Sequence, residues 1–275
     1  MTDKHFMFEP IIYYRNSPDW IQERNAAQEH FKCVNLITDL VLGSNSLIVA
    51  RYSLWPHYKD TEEELKNINC KLINTYAQHQ YIADMKDWVS DLQGLTPETW
   101  DRLENLPEDC QFVLKGATNS KKNYWNTSMF AKNKKEAIQV HSRLCEDSLI
   151  GYQDIYIRKY VPLKTYMIGI QGLPITKEFR FFVCYGRIVS GGFYWSNYAD
   201  DLTEKPDYNE VPKEFLQTVI NKVKNNVNFF VVDVAQTVDD EWIVIELNDG
   251  QHSGLSCNDA DTLYANLRKV INEKV

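Results

Sequence analysis

At 275 residues and a formal net charge of −8, the chain can bury a sizeable core, as one large domain or two or three small ones, and is too acidic for a non-specific nucleic-acid or membrane-surface binder. Its six cysteines (Cys33, Cys70, Cys110, Cys145, Cys184 and Cys257) contain no CxxC pair, which argues against a disulfide or zinc framework and predicts reduced packing thiols in a cytoplasmic protein. The opening stretch, MTDKHFMFEP, lacks the basic-then-apolar pattern of a signal peptide, and no apolar run approaches a membrane span.

Residues 1–84 read as an α/β unit. Asn45–Tyr52 predicts a strand, Thr61 with Glu64 has the spacing of a capping box, and Cys70–Asn74 predicts a second short strand. Arg51 lies at the end of its strand, where α/β proteins often place ligand contacts; the plainer reading is a surface cation. His79 invites the same suspicion, although a lone histidine is more often structural. Asp84-Met85-Lys86 opens a helix, with Lys86 a solvated lysine on its own merits, and Pro97 then turns the chain.

Gln111–Gly116 is a short apolar strand carrying Lys115 near its end. The loop 117–128 is hydroxylic, with Lys121 and Lys122 adding charge and no glycine after Gly116. Lys132–Arg143 predicts a helix, with Ala137, Ile138, Val140 and Leu144 as its apolar positions. Asp154–Val161 alternates as a strand and contains Tyr156, Ile157 and Arg158. Lys177–Cys184, the turn Tyr185-Gly186 and Arg187–Trp195 predict a hairpin. Its first strand sets Glu178, Arg180 and Phe182 on one face and Phe179, Phe181 and Val183 on the other. Side by side, a carboxylate and a guanidinium are either an ion pair or part of a site. The hairpin ends in Tyr194 and Trp195, and Pro212 opens a helix with a core stripe at Phe215, Val219, Ile220, Val223 and Val227.

The most informative stretch is 228–255. Phe229–Ala235 and Trp242–Leu247 are apolar strands joined by an acidic turn. Closing the hairpin over a two-residue loop, Asp239–Asp240, puts Val238 opposite Glu241 and therefore Asp233 opposite Glu246. Asn248, two residues on, shares their face. Facing carboxylates repel unless something positive sits between them, and with an amide oxygen they suit a hard divalent cation such as Mg²⁺ held partly by phosphate. The alternative is a solvent-exposed acidic hairpin. The loop Asp249–Gly254 then carries His252 and Ser253, and a last helix with Leu263, Leu267, Val270 and Ile271 inward closes the core.

An acidic residue after an apolar run, with Glu-x-Asn on the next strand, resembles the metal-binding end of the ATP-grasp superfamily. Lys86, Lys115 and the Glu178-Phe179-Arg180 strand follow that family's order. The resemblance implies an α+β fold with three parts: an N-terminal α/β unit (1–84), a lid (85–160) and a C-terminal antiparallel-sheet subdomain (161–275). It implies that ATP and Mg²⁺ lie between the last two, with metal on Asp233, Glu246 and Asn248. Lys86, Lys115 and Arg180 would meet phosphate, and the loop 117–128 would cover it. Tyr156, Ile157 and Arg158 would line the nucleotide, although the family commonly has an acid where this chain has Arg158-Lys159. Glu178 would meet the ribose, and Arg51, Tyr194, His252 and Ser253 would surround the acceptor substrate. The implied function is a carboxylate–amine ligase working through an acyl phosphate with ADP release, on a small molecule, peptide or protein. Lys115 and Arg180 would be its catalytic residues. A small-molecule kinase and a nucleotide-binding protein without turnover share the same phosphate machinery and stay open as alternatives.

Overall fold

The computed structural model describes residues 9–14, 21–40, 45–54, 56–204 and 206–274; residues 1–8, most of the stretch read for a targeting signal, lie outside the described residues. The N-terminal unit is a parallel sheet of β1 (Glu9–Tyr13), β2 (Lys32–Val34), β3 (Ser46–Ala50) and β4 (Lys71–Leu72), in the order β2-β1-β3-β4. Helix α1 (Ile21–Gln28) joins β1 to β2, and α2 (Tyr58–Asn67) joins β3 to β4. Both faces of this sheet are covered, so β1 and β3 read as apolar runs without alternation. Ile11, Ile48 and Ala50 pack on Tyr58 and Leu65 of α2, while Ile12, Leu47 and Val49 face Ala27 of α1 and the rest of the protein. Helix α2 starts three residues before the expected cap. Tyr58 is drawn into the core and recruits its turn, which leaves Thr61 buried inside the helix.

Two short helices follow, α3 (Tyr76–Ala83), capped by a Thr75–Gln78 box, and α4 (Met85–Asp91), capped by Asp84 accepting from the Lys86 N–H. Ile82, Met85 and Trp88 enter the core of the C-terminal sheet, so the position 84/85 falls between two helices that share one core. The lid sheet is β5 (Thr99–Trp100), β6 (Phe112–Gly116), β7 (Phe130–Ala131) and β8 (Ile155–Lys159), ordered β5-β8-β6-β7 and antiparallel. Between β6 and β7 lies the single turn α5 (Trp125–Ser128), and α6 (Lys134–Cys145) packs Ala137, Val140 and Leu144 onto Phe112, Leu114 and Ile157. Ile138, expected inward, is exposed, because one helical step beyond Ala137 turns it off the 137/140/144 stripe.

A short hairpin, β9 (Thr165–Ile168) and β10 (Pro174–Thr176), leads into the C-terminal sheet of β11 (Glu178–Cys184), β12 (Arg187–Phe193), β13 (Phe229–Gln236) and β14 (Trp242–Asp249), ordered β12-β11-β13-β14. Tyr185 and Gly186 both have positive φ (46° and 75°), as a primed two-residue hairpin turn requires. On one face Phe179, Phe181, Phe230, Val232 and Val234 pack against α7 (Lys213–Val223). On the other, Phe182, Cys184, Phe229 and Val231 pack against the N-terminal unit and α8 (Ala260–Asn272). That second face continues past the core into Glu178, Arg180 and Asp233. Because side chains alternate with period two, burial of the apolar half aims the polar half in one direction.

The β13–β14 hairpin reaches the expected pairing by a different route. Its loop has three residues, with Thr237 N–H donating to Glu241 O at 2.8 Å and Asp240 in the left-handed region (φ 68°). That turn alone would offset the strands by one residue. A bulge on β14 at Ile245 restores the register, so that Asp233 does face Glu246. The bulge is pinned by Leu95 O accepting from Val244 N–H (2.7 Å) and by the Thr96 hydroxyl donating to Val244 O (2.8 Å). No helix among the described residues is long and apolar enough to cross a membrane.

Candidate active site

Three neighbouring strands present Arg180, Asp233 and Glu246 in line. Arg180 grips Asp233 in a two-point contact, Nε to Oδ1 at 2.8 Å and Nη2 to Oδ2 at 2.7 Å, with Asp233 fully buried. Lys115 reaches from β6 across to Glu246 Oε1 at 2.5 Å, and the Asn248 amide lies 3.4 Å from the same oxygen. The repulsion expected between the facing carboxylates is thus cancelled by one cation from the sheet and one from the lid. Burial alone would raise the Glu246 pKa, but Lys115 and Lys122 overcome it and hold the carboxylate at about 2. Arg180 also donates Nη1 to Gly254 O at 2.9 Å, which fastens the loop after β14 to the charged row.

Glu178 is next along β11 and differs in kind. Its Oε2 accepts from the Thr176 hydroxyl at 3.1 Å, while Oε1 is buried with no partner. Burial raises its pKa to about 7, partly offset by Lys122. Lys122 crosses from the lid loop to donate to the Tyr194 hydroxyl at 2.5 Å, lying 4.1 Å and 4.9 Å from the ring centres of Tyr194 and Trp195. The Arg180 guanidinium sits on Tyr194, 4.9 Å from the ring centre.

Between lid and sheet lies a cleft of about 880 Å³ counting its open mouth. Val113, Met129, Tyr160, Leu173, Ile243 and Ile245 give it apolar walls, and Lys115, Lys122, Arg158, Glu178 and Glu246 give it charge. An apolar slot that ends in fixed charges suits an elongated ligand with a flat base and an anionic tail. Arg158 enters the cleft with its Nη1 donating to the bulged Ile245 O, its Nη2 donating to the Thr96 hydroxyl at 2.6 Å, and its Nε buried without a partner. Burial lowers its pKa to about 10 against the pull of Glu246.

Not every residue singled out from the sequence comes to the cleft. Ile157 points into the lid core, and Tyr156 faces the core of the C-terminal sheet with its hydroxyl on Asp84 at 2.7 Å. Period-two alternation explains Ile157, and the cleft is lined instead by Lys159, Tyr160 and Val161 at and just beyond the end of β8. Lys86 is exposed and outside the cleft, because Met85 and Trp88 occupy the inward positions of α4. Lys122, Trp125 and Met129 do line it, although they lie in a loop and a single helical turn without periodicity to announce them. Arg51 is buried rather than presented. Its Nε donates to Glu23 at 2.9 Å, and Nη1 and Nη2 donate to the carbonyls of Gly250 and Ser253. It therefore shapes the loop from inside. The Ser253 hydroxyl donates to Asp249 O at 2.8 Å, and the half-buried His252 stands beside His79 and Asp249.

A parallel N-terminal sheet, a small lid sheet and an antiparallel C-terminal sheet that offers carboxylates and cations to a cleft together define an ATP-grasp protein. Residues 102–267 match the model of an ATP-grasp domain, the third family of its clade, and the chain belongs to that family. Solved structures agree on the fold. D-cycloserine synthetase DcsG aligns with a TM-score of 0.59 at 13% identity, covering 95% of this chain and 99% of that one. The RiPP-associated ATP-grasp ligase of Chryseobacterium gregarium, in complex with ADP and a leader and core peptide, aligns at 0.60 and 10% identity, covering 98% of each. The macrocyclase MdnC of Microcystis aeruginosa, bound with precursor peptide MdnA, aligns at 0.60 and 10% identity over 96% and 99%. Among curated proteins none matches the chain. The α+β ATP-grasp architecture expected from the sequence is the one observed.

Proposed function

We propose that this protein is an ATP- and Mg²⁺-dependent ligase that joins a carboxylate to an amine through an acyl phosphate, with release of ADP. The observation that carries this reading is the buried row Arg180–Asp233–Glu246–Lys115 at the end of an apolar cleft. Two carboxylates and an amide oxygen on one face of β13 and β14 are hard donors that fit Mg²⁺, so Asp233, Glu246 and Asn248 would hold it. Bound there, the ion would supply charge neutralisation to the triphosphate. Lys115 and Arg180, now paired with those carboxylates, would turn to phosphate oxygens and stabilise the charge of the transferring phosphoryl group. The base would lie in the slot of Val113, Met129, Tyr160 and Leu173, and the unpartnered Glu178 Oε1 would accept from a ribose hydroxyl. Lys122, already in the cleft, would close the lid loop over the phosphates.

Phosphorylation gives the substrate carboxylate a leaving group, and an amine then displaces it to form the amide. Two of the structural neighbours were solved with peptides, so a peptide carboxylate is the first acceptor to try. A cytoplasmic setting, expected from the cysteine usage, is part of the same reading. Hydroxylamine tests the reading directly. With MgATP and a panel of peptide and small-molecule carboxylates, it should intercept the acyl phosphate and give hydroxamate and ADP in equal amounts. A stable phosphorylated alcohol would make the protein a kinase, AMP release would mean adenylation, and ATP binding without turnover would mean a binding module.

A further inference from the structure

Away from the cleft, at the C-terminal ends of β3 and β4, three side chains converge from separate parts of the chain. His79 comes from α3, Asp249 from the last position of β14, and His252 from the following loop; one ligand atom of each lies within 4.8 Å of the others. His79 Nδ1 is 3.0 Å from Asp249 Oδ2, and the two imidazole centres are 4.8 Å apart. We propose that His79, Asp249 and His252 form a binding site for a late first-row divalent cation, with Zn²⁺ as the best-matched ion.

The donor set separates this site from the one on Asp233, Glu246 and Asn248. Two imidazoles and a carboxylate favour Zn²⁺ over Mg²⁺ or Ca²⁺, which prefer oxygen throughout. Bond lengths of about 2.0–2.1 Å at tetrahedral angles place neighbouring ligand atoms roughly 3.3 Å apart. The His79–Asp249 pair already has nearly that separation, and the ion would take the place of the hydrogen bond between them. His252 must close by about an ångström, which a half-buried loop side chain can do, and its partial exposure leaves a coordination position for water.

The surroundings hold the ligands as metal sites usually require. Asp249 is fully buried, and its Oδ1 accepts from Asn74 Nδ2 and from Gln251 N–H, both at 2.9 Å. Asn74 is itself fixed, its Oδ1 accepting from Phe229 N–H at 2.9 Å. The Tyr58 ring stacks on His79 at 4.3 Å and 14°, which sets the imidazole plane. An ion here would tie α3 to the end of β14 and to the loop whose Gly254 carbonyl receives Arg180. It would stiffen that loop whether or not the ligase reading holds.

The test uses the full chain, treated with a chelator and free of nucleotide, titrated with Zn²⁺ by calorimetry and with Co²⁺ by absorption. One equivalent of Zn²⁺ should bind and raise the Tm, and Co²⁺ should give the intense visible bands of a tetrahedral site. His79→Ala and His252→Ala should each weaken Zn²⁺ binding by well over tenfold. His141→Ala, which breaks the exposed pair of His141 Nδ1 with Cys145 Sγ (3.5 Å) on α6, should leave it unchanged, and Glu246→Gln guards against binding in the cleft. The proposal is overturned if the wild-type protein takes up no Zn²⁺, if binding survives in the His79/His252 double variant, or if it disappears in His141→Ala or Glu246→Gln instead. The Co²⁺ spectrum of the wild-type protein decides without any variant, because a weak octahedral spectrum also overturns it.

Discussion

Glu178 gives the sharpest test of the site's electrostatics. It is 3% exposed, lies near Asp233 and Glu246, and has a buried Oε1 with no partner; Lys122 is the cation that partly offsets its burial. Burial raises its pKa from 4.5 to about 7. The sign follows from linkage: below pH 4.5 the group is protonated in both folded and unfolded chains and exerts no differential effect. Between there and about pH 7 the folded state binds the extra proton, so its stabilising contribution is lost as pH rises through that window. At ~1.4 kcal/mol per pKa unit, the full loss is roughly 3 kcal/mol. Glu178→Gln keeps the shape and removes the titration. Its stability relative to wild type, from urea unfolding at intervals between pH 4.5 and about 8, should improve with pH by about that amount. Parallel wild-type and variant profiles would refute the assignment, because the remaining titrating groups are common to both. The same substitution retains an acceptor oxygen, so MgATP should continue to bind above the titration window.

Arg180→Ala strands a fully buried carboxylate and should destabilise the fold by about 3–5 kcal/mol, whereas Arg180→Met with Asp233→Asn should recover much of it; equal losses in the two would mean that the ion pair is not the cause. Arg51→Ala should cost a similar amount, since it leaves Glu23 unpaired and frees the carbonyls of Gly250 and Ser253; a variant of unchanged Tm would return Arg51 to the surface. Lys115→Ala should weaken MgATP binding by about 1.5–3 kcal/mol in calorimetry, as for a lost charge-assisted hydrogen bond; unaltered affinity would remove Lys115 from the phosphate site. Glu246→Gln should abolish most of the Tm gain from MgATP while the free protein stays folded, and an undiminished shift there and in Asp233→Asn would refute the metal assignment.

What the sequence determined by itself is local and periodic. Alternation on β11 and β13 sorted Glu178, Arg180 and Asp233 onto one face and the phenylalanines and valines of the α7-facing core onto the other, because a strand leaves no other choice. It also marked the carboxylate pair, and here the outcome depended on two offsets. The turn is one residue longer than expected, and the bulge at Ile245 compensates for it. A bulge is set by what holds it, in this case Leu95, Thr96 and Arg158 from distant parts of the chain, and none of these is visible in the hairpin's own residues. Tertiary structure likewise decided the fate of the cations. Lys86 and Lys122 are equally plausible on paper, but one projects from the outer side of a helix and the other is carried across the cleft by the lid loop. Arg51 needed the loop after β14 to fold over it before its role as an internal brace could be seen. The convergence of His79 with Asp249 and His252 spans 170 residues in one of its contacts. Composition and spacing act over one or two turns of chain, whereas contacts at that separation exist only once the two sheets have docked.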